Sequence, residues 1–282
     1  MKIVITGANG QLGSELQDIL KLDATKECFF LDRKQLPLDQ VGIIQDILAM
    51  YHPDLIIHAG AYTAVDKAES EQDLADAVNH LATEEIAQYC RLNDVRLIAI
   101  STDYVFDGTS SKPLKETADV DPINTYGLSK LRGEQAIQKW LPESIIIRTS
   151  WVYSTYGNNF VKTMVRLMTE RDEIAVINDQ IGSPTYARDL AQAIIDIING
   201  NCWVGGVYHY SNEGKTSWYD FALAIRDIKH IDCQINPIPT AAYPTPARRP
   251  HYSLLDKTKV KGTFKISVPY WRDSLIEMLN KI

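Results

Sequence analysis

The chain has 282 residues, 45% of them hydrophobic and 23% charged, so it can bury a core of ordinary size. Its formal net charge of −7, without long runs of like charge, disfavours a nucleic acid or an anionic membrane as partner. The four cysteines are far apart and predict neither a metal site nor a disulfide framework. The N-terminus lacks a signal-peptide pattern and no apolar run reaches about 18 residues. We therefore expect a cytoplasmic protein without a membrane span.

The first half of the chain alternates short apolar runs with stretches of helical periodicity, which predicts βαβ units around a parallel sheet. The runs are apolar throughout, as is typical of strands covered by helices on both faces. We predict an α/β fold with a doubly wound, Rossmann-like parallel sheet and a smaller α/β substrate-binding lobe. The predicted strands are Ile3–Thr6, Cys28–Leu31, Leu55–His58, Arg96–Ile100 and Ser144–Arg148, and the predicted helices are Gln11 to about Leu22, Val41–Tyr51, about Leu74–Leu92 and about Tyr126–Leu141.

The pattern is less regular beyond Trp151, although three later segments keep helical spacing. No linker rich in glycine and serine separates the two parts, so the second part is expected to pack on the first. We predict a sheet domain over residues 1–152, to which segments 173–200 and 236–262 return. The remainder of 153–282 is predicted to form the smaller lobe.

A glycine turn links the first predicted strand to the first predicted helix. Gly7, Gly10 and Gly13 lie in this turn, where glycines let the backbone approach a pyrophosphate and the helix N-terminus favours its charge. The alternative is a plain turn between strand and helix. The position of the motif at the start of an alternating chain favours a dinucleotide site, formed here by Gly7, Asn9, Gly10, Gln11, Leu12 and Gly13.

The end of the second strand carries residues that can read the cofactor ribose. Asp32 lies about 20 residues beyond the glycine turn, where a carboxylate can accept the ribose hydroxyls of NAD. The adjacent Arg33 could instead pair with the 2′-phosphate of NADP, and we predict that both NADPH and NADH are used. Asp32 as a solvated turn residue is the alternative. The cofactor site is also assigned Asp39, Ala59, Gly60, Ala61 and Thr63.

Tyr126 and Lys130 have a four-residue spacing that places them on one face of a predicted helix. A neighbouring ammonium stabilises a phenolate, so Lys130 is expected to lower the pKa of Tyr126. On its own such a pair could equally line a solvated helix face. The fourth strand runs into Ser101 and Thr102, and reaction sites in such sheets gather at the carboxyl ends of strands.

Together these parts resemble the short-chain dehydrogenase/reductase superfamily in order and spacing: a glycine turn, a hydroxyl residue after the fourth strand, then the tyrosine and lysine. The likeness to dTDP-4-dehydrorhamnose reductases covers essentially the whole chain. The segments that carry this resemblance are Ala61–Glu69, Ser101–Gly108, Arg148–Tyr153, Gly182–Thr185 and Arg248–Pro250.

The resemblance implies that NADPH or NADH reduces the 4-keto group of dTDP-4-dehydro-6-deoxy-L-mannose, giving dTDP-L-rhamnose for surface polysaccharide. Tyr126 would donate a proton to the developing alkoxide, and Thr102 would supply a second hydrogen bond to that oxygen. Lys130 would also hold the nicotinamide ribose. Thr102, Tyr126 and Lys130 are thus the expected catalytic residues.

The same resemblance assigns a substrate side to the site. Thr63 and Val65 would border the sugar and the nicotinamide, Trp151 would pack against the hexose, and Arg248 would face the diphosphate. Core packing is the alternative for Trp151, and a surface charge is the alternative for Arg248. The full predicted substrate set is Val65, Thr102, Asp103, Tyr104, Trp151 and Arg248.

Some relatives bind Mg²⁺ at a dimer interface through glutamates. Glu15 has a suitable helix position, but a lone glutamate on a first helix is ordinarily solvated. No compact cluster of metal ligands is visible, so the metal assignment is none, while Mg²⁺ and a homodimer are left open.

Other functions share parts of this pattern. Nucleotide-sugar 4,6-dehydratases have a sequence similar to Thr-Asp-Glu after the fourth strand, whereas this chain has Thr102-Asp103-Tyr104 there. Another nucleotide-sugar reductase or an epimerase could share the tyrosine, the lysine and the hydroxyl residue. A non-catalytic subunit, similar to the regulatory subunit of methionine adenosyltransferase, could keep much of the cofactor site.

Overall fold

A computed structural model describes residues 1–282. Six parallel strands form the central sheet in the order β10-β5-β4-β3-β1-β2, and three two-stranded pairs lie outside it. The strands are β1 (Lys2–Thr6), β2 (Glu27–Leu31), β3 (Leu55–His58), β4 (Arg96–Thr102), β5 (Ile145–Thr149), β6 (Val152–Tyr153), β7 (Glu173–Ile177), β8 (Ile181–Gly182), β9 (Thr185–Tyr186), β10 (Gly206–His209), β11 (Thr216–Ser217) and β12 (Gln234–Ile238).

Eleven α-helices accompany these strands, and none is long and apolar enough to cross a bilayer. The helices are α1 (Gln11–Leu20), α2 (Ile44–Ala49), α3 (Val65–Ala68), α4 (Gln72–Asp76), α5 (Ala82–Asn93), α6 (Thr125–Trp140), α7 (Phe160–Glu170), α8 (Ala187–Asn199), α9 (Trp218–Lys229), α10 (Thr258–Phe264) and α11 (Trp271–Leu279).

Helices cover both faces of the central sheet. Ile3 and Ile5 of β1 point to a buried cluster that includes residues of α1 and α8, whereas Val4 points to a second cluster with residues of α2, α5 and α6. Successive side chains of a strand alternate between faces, so each strand here must be apolar on both. The predicted α/β class with a Rossmann-like parallel sheet is confirmed.

The predicted helix over about Leu74–Leu92 is interrupted. It consists of α4, a π-helical segment over Ala77–Leu81 and α5. A Cβ atom at Gly133 of α6 would lie 2.3 Å from the carbonyl oxygen of Asn79, which belongs to the π-helical segment. The close approach of two helices at this point is therefore compatible only with a glycine, and apolar periodicity alone could not reveal the interruption.

The second part of the chain builds its own core and also extends the sheet. Aromatic and aliphatic side chains of α7, α9 and α11 form one buried cluster with β7 and β12, which pair with each other. In contrast, α8 packs on α1 and β10 pairs with β5 at the sheet edge. We propose that α8, β10 and α10 belong to the sheet domain. The predicted returning segments 173–200 and 236–262 thus also contain β7 and the end of β12, which lie in the lobe.

Candidate active site

A cleft of about 600 Å³ runs along the carboxyl ends of the strands. This is where parallel α/β sheets bind ligands, since the loops that follow the strands diverge there. All predicted site residues line it except Asp39 and Arg248. The residues in question are Gly7, Asn9, Gly10, Gln11, Leu12, Gly13, Asp32, Arg33, Ala59, Gly60, Ala61, Thr63, Val65, Thr102, Asp103, Tyr104, Tyr126, Lys130 and Trp151.

Several lining residues were not predicted. Thr149 and Ser150 follow β5, so the rule about strand ends that singled out Thr102 could have found them. Gly157, Asn158 and Leu190 come from the irregular second part of the chain and reach the cleft only through tertiary packing. The remaining unpredicted lining residues are Ile100 and Val152, and Ser101, named with Thr102 at the end of the fourth strand, lines the cleft as well.

The glycine turn is built for close backbone approach. Gly7 has φ +71°, and a Cβ atom there would lie 2.7 Å from the backbone of Gly60. A Cβ atom at Gly13 would lie 2.3 Å from the carbonyl oxygen of Gly7. Gly10 caps the N-terminus of α1 without a side-chain hydrogen bond, so the first-turn N–H groups remain available to an anion. These features fit a dinucleotide pyrophosphate.

Asp32 and Arg33 lie beside the turn with different partners. Asp32 accepts hydrogen bonds from the backbone N–H groups of Lys34 and Gln35 at 2.9 and 3.1 Å and from the Asn9 amide at 3.2 Å. The two backbone bonds hold the pKa of its carboxyl below the usual range. Arg33 forms an ion pair with Asp39 at 2.8 Å. Asp39 does not line the main cleft. It lines an adjoining cavity of about 160 Å³, together with Asp32 and Arg33.

Helix α6 presents Tyr126 and Lys130 to the cleft. Asn124 caps this helix, because its Oδ1 accepts the N–H of Gly127 at 2.8 Å. Gly127 lets the helix approach closely, since a Cβ atom there would lie 2.2 Å from the carbonyl oxygen of Tyr104. The buried Lys130 donates from Nζ to the carbonyl of Ile100 at 2.7 Å.

Thr102 lies opposite, at the end of β4. Its hydroxyl donates to Asp103 Oδ1 at 3.1 Å and accepts the backbone N–H of Tyr104 at 3.2 Å. The rings of Tyr104 and Tyr126 meet edge to face with centroids 5.6 Å apart. The structure thus brings together the two hydroxyls and the ammonium that the sequence singled out.

The pKa of Tyr126 differs from the expectation. Burial raises it to about 12, contact with the Thr102 hydroxyl opposes this, and the Asp103 carboxylate adds to it. The Lys130 ammonium donates to a backbone carbonyl and not to the phenol, and it is not among the groups that shift this pKa. Burial also lowers the pKa of Lys130 to about 8, against the attraction of Glu134. Tyr126 is therefore a protonated phenol at neutral pH, and the expectation that Lys130 depresses its pKa was wrong for this arrangement.

The side of the cleft that was predicted to face the sugar contains a strained tryptophan. Trp151 has φ +48°, a left-handed conformation that is costly for a bulky side chain, and its ring stacks on Trp218 at 3.7 Å. Asp103 is buried and desolvation raises its pKa to about 6. Arg248 lies elsewhere: it is exposed and lines a neighbouring cavity of about 530 Å³.

A buried ion pair supports the site from behind. Arg148 donates to Glu134 through Nε at 2.9 Å and through Nη2 at 2.6 Å, and Ser101 also donates to Glu134. Glu134 is one turn beyond Lys130 on α6, and Arg148 lies on β5. The pair therefore links α6, the helix of Tyr126 and Lys130, to the sheet.

Glu15, considered for Mg²⁺, is buried and already partnered. Its Oε1 accepts from Ser154 Oγ at 2.6 Å, and the Arg188 guanidinium lies 3.4 Å from Oε2. No group of three His, Cys, Asp or Glu residues is arranged to hold a metal ion. The Glu15 carboxylate is thus already paired with the Arg188 guanidinium.

Fold and cleft together define a dinucleotide-binding oxidoreductase with a tyrosine and a lysine on one helix. The chain belongs to the RmlD substrate binding domain family, whose model matches residues 1–282. It is 41% identical to a dTDP-4-dehydrorhamnose reductase of Aggregatibacter actinomycetemcomitans, over 97% of each chain.

Solved structures agree with this assignment. The dTDP-4-dehydrorhamnose reductase of Clostridium acetobutylicum matches with a TM-score of 0.95 and 38% identity, over 100% of this chain and 99% of that one. The Bacillus anthracis enzyme, solved in complex with NADP, has the same TM-score at 39% identity and the same coverage. The resemblance that the sequence motifs indicated is confirmed.

Proposed function

We propose that the chain reduces the 4-keto group of dTDP-4-dehydro-6-deoxy-L-mannose to dTDP-L-rhamnose with a nicotinamide dinucleotide. The observation that carries this proposal is the convergence of Thr102, Tyr126 and Lys130 in the cleft that the glycine turn enters. The choice of substrate is supported by the names of relatives that match over nearly the full chain.

When bound, the reduced nicotinamide supplies the hydride that adds to C4 of the sugar. Tyr126 donates its phenolic proton to the C4 oxygen, so the carbonyl becomes a secondary alcohol. A pKa of about 12 suits this role, because the phenol keeps its proton until the more basic alkoxide develops. Thr102 places a second hydroxyl at the same oxygen and stabilises its developing charge.

Lys130 acts as a cationic positioning group for this step. Its Nζ is anchored to the Ile100 carbonyl at 2.7 Å, which leaves two of its N–H bonds for the cofactor ribose hydroxyls. Burial makes this charge electrostatically stronger than at the surface. Lys130 therefore fixes the ribose beside Tyr126 and carries positive charge next to the reacting oxygen.

Trp151, Val65 and Thr63 form the proposed sugar-facing wall, and all three line the cleft. An aromatic face suits the C–H surface of a deoxysugar. In the structure the Thr102 hydroxyl donates its single proton to the buried Asp103, so this proton turns from Asp103 to the C4 oxygen when Thr102 stabilises the developing alkoxide. The side chain of Tyr104 packs edge-on to Tyr126 and takes the place of the acidic residue that a dehydratase would need.

Both NADPH and NADH are proposed as cofactors. Arg33 is 77% exposed and could turn from Asp39 to a 2′-phosphate, while Asp32 can accept ribose hydroxyls. The NADP complex of the Bacillus anthracis relative supports the use of NADPH. Turnover with each cofactor at equal concentration tests the proposal, and a preference above about a hundredfold would exclude dual use.

We propose that Mg²⁺ is not needed. The cation that a buried Glu15 requires is supplied by Arg188, and a divalent ion at the same carboxylate would be repelled by this guanidinium. A homodimer stays a prediction without support from the structure. Removal of divalent ions with a chelator should leave both turnover and cofactor binding unchanged.

One assay tests substrate and cofactor together. Purified protein is incubated with dTDP-4-dehydro-6-deoxy-L-mannose or its uridine analogue, while the absorbance of NADPH and of NADH is followed in parallel. Oxidation with the dTDP sugar supports the proposal. Turnover without net oxidation would instead favour an epimerase, and failure with every 4-keto sugar nucleotide would favour the non-catalytic regulatory function.

A further inference from the structure

Segment 62–69 leaves β3, contains α3 and passes along the main cleft. Thr63 and Val65 of this segment line the cleft, and so does Tyr126 of α6 on the other side. The contact between segment 62–69 and α6 therefore sets how the proposed proton donor stands relative to the proposed sugar-facing wall.

The end of this segment is bound to the first residue of α6. Glu69 Oε1 accepts the backbone N–H of Thr125 at 2.8 Å, across 56 residues of sequence. The first N–H groups of a helix have no partner within the helix, and the positive end of the helix dipole favours a carboxylate there. The Asn124 side chain accepts the N–H of Gly127 in the same turn. Tyr126 lies between these two bonded residues, so both bonds fix the backbone that carries its phenol.

The start of the segment is bound to the same helix through Asn79. The backbone N–H of Tyr62 donates to Asn79 Oδ1 at 2.8 Å, and Asn79 Nδ2 donates to the Tyr62 carbonyl at 3.0 Å. Asn79 Nδ2 also donates to Ser129 Oγ of α6 at 3.0 Å. Both Asn79 and Ser129 are buried. Segment 62–69 is thus attached to α6 at both of its ends.

An ion pair anchors the middle of the segment independently of α6. Arg249 donates to both carboxylate oxygens of Asp66, at 3.0 and 2.8 Å. The carbonyl of the preceding Arg248 accepts from Asn124 Nδ2 at 2.7 Å. Hydrogen bonds therefore form a closed ring: segment 62–69 contacts α6, α6 contacts the loop of the two arginines, and this loop contacts segment 62–69.

Glu69 is the member of this ring that bonds the backbone directly before Tyr126. A bond from a separately anchored segment limits how far the first turn of α6 can shift. Such limits matter in the cleft, because a displacement of about 1 Å between reacting groups can cost about a hundredfold in rate.

We propose that Glu69 is a positioning residue for the proton transfer from Tyr126. Its carboxylate fixes the first turn of α6 against segment 62–69, and the phenol is thereby held at the distance from the sugar-facing wall that the reaction needs. The identity of this step rests on the proposed function, whereas the effect of Glu69 on α6 can be measured without substrate.

The test compares Glu69→Ala with Glu69→Gln. The glutamine amide still offers an oxygen to the N–H of Thr125, whereas alanine removes the acceptor. Glu69→Ala should lower kcat roughly ten- to a hundredfold, and Glu69→Gln should recover most of this loss. Both KM values and the NADPH affinity should stay within about twofold of the parent, because segment 62–69 remains bound to Asn79 and Arg249.

Two further measurements distinguish positioning from a general loss of stability. The solvent deuterium isotope effect on kcat should increase in Glu69→Ala, because the proton transfer is the step that is slowed. Without substrate, backbone hydrogen exchange in the peptide that contains residues 125–128, followed by mass spectrometry, should be roughly tenfold faster in Glu69→Ala. Glu69→Gln should exchange at nearly the parent rate.

Asp54→Ala is the matched control. Asp54 Oδ2 accepts the backbone N–H of Lys2 at 2.7 Å across 52 residues, which is the same kind of bond. It lies where β1 and β3 begin, at the edge of the sheet opposite the cleft. The unfolding temperature of this variant shows the general cost of losing such a bond, while its kcat and the exchange of α6 should equal those of the parent.

The outcomes separate the role of Glu69 from the proposed function. If Glu69→Ala keeps the parent kcat, Glu69 does not position Tyr126, whatever the exchange rate of α6. Equal losses of kcat in the alanine and glutamine variants without faster exchange would contradict positioning as well. If the parent reduces no 4-keto sugar nucleotide, the proposed function fails, and an unchanged exchange rate in Glu69→Ala would then also refute the effect of Glu69 on α6.

Discussion

The ring of Trp218 stacks on that of Trp151 with centroids 3.7 Å apart and an angle of 13° between the planes. Trp151 lines the cleft, and Trp218, which does not line it, stacks on one face of the Trp151 ring. Phe160 in turn packs on Trp218 at 4.5 Å. The second lobe thus fixes the orientation of the aromatic wall proposed for the sugar.

Trp218→Ala removes this support, and we expect KM for the sugar nucleotide to rise about tenfold, since stacked aromatic pairs contribute ~0.5–1.5 kcal/mol beyond their buried area. The loss should appear in KM more than in kcat, because the proposed role of Trp151 is to contact the sugar and not the reacting oxygen. Trp218→Phe keeps a stacking face and serves as the control. An unchanged KM for the alanine variant would separate Trp218 from substrate binding.

The proton donor can be tested by removing one oxygen. Tyr126→Phe should lose most turnover, at least about a hundredfold, since general acid catalysis contributes about 10² to 10⁴. Cofactor binding, followed by fluorescence of the reduced nicotinamide, should persist because the glycine turn is untouched. Turnover equal to that of the parent protein would mean that another group protonates the C4 oxygen.

The charge of Lys130 predicts an alkaline limit on activity. Its pKa is lowered to about 8 by burial, so the ammonium form is present below this pH and is lost as the pH rises through it. Tyr126, with a pKa of about 12, remains protonated throughout. We therefore expect kcat/KM to fall above about pH 8. A profile that stays flat to pH 10 would contradict the role of the Lys130 charge. Lys130→Arg carries a permanent cation, so its kcat/KM should be lower overall but should no longer fall above about pH 8.

The Arg148–Glu134 pair predicts a large effect on stability. Arg148→Met leaves Glu134 buried without its partner, and the free energy of unfolding should drop by about 3–5 kcal/mol, measured by urea denaturation. Combining it with Glu134→Gln should recover part of this loss, since no charge then remains buried. A loss below about 1 kcal/mol in the single variant would show that water or another group compensates.

Acid should destabilise the protein through its buried histidines. Burial lowers the pKa of His58 and of His209 to about 3, below the value of about 6.5 in an unfolded chain. Stabilisation by these neutral rings is complete above pH 6.5 and is lost as the pH falls from there towards 3. Unfolding free energies at pH 7 and pH 5 measure this. His58→Gln should reduce the pH dependence, whereas His251→Gln, at an exposed position, should not.

The parts of the site that the sequence predicted are those encoded locally. Gly7, Gly10 and Gly13 follow a strand, and the pair Tyr126 and Lys130 shares one helix face, so spacing alone brings these groups together. The sheet was likewise predictable from apolar runs, except for β10, whose four residues lie between segments of the lobe and join the sheet edge from far along the chain.

Other features depend on packing between distant segments. Arg248 was expected to face the diphosphate of the substrate, but it lines a cavity separate from the main cleft, on a loop whose backbone is bound by the Asn124 amide. The stacking of Trp218 on Trp151 joins residues from different parts of the lobe. The raised pKa of Tyr126 depends on burial, which a four-residue spacing cannot report.

We propose that this chain couples oxidation of a reduced nicotinamide to reduction at C4 of a dTDP sugar. This coupling is tested most directly by the stoichiometry of the reaction, with NADPH followed by absorbance and the sugar nucleotide by chromatography. We predict one NADPH oxidised for each dTDP-L-rhamnose formed. A sugar product formed without oxidation of NADPH, or oxidation without dTDP-L-rhamnose, would contradict the claim.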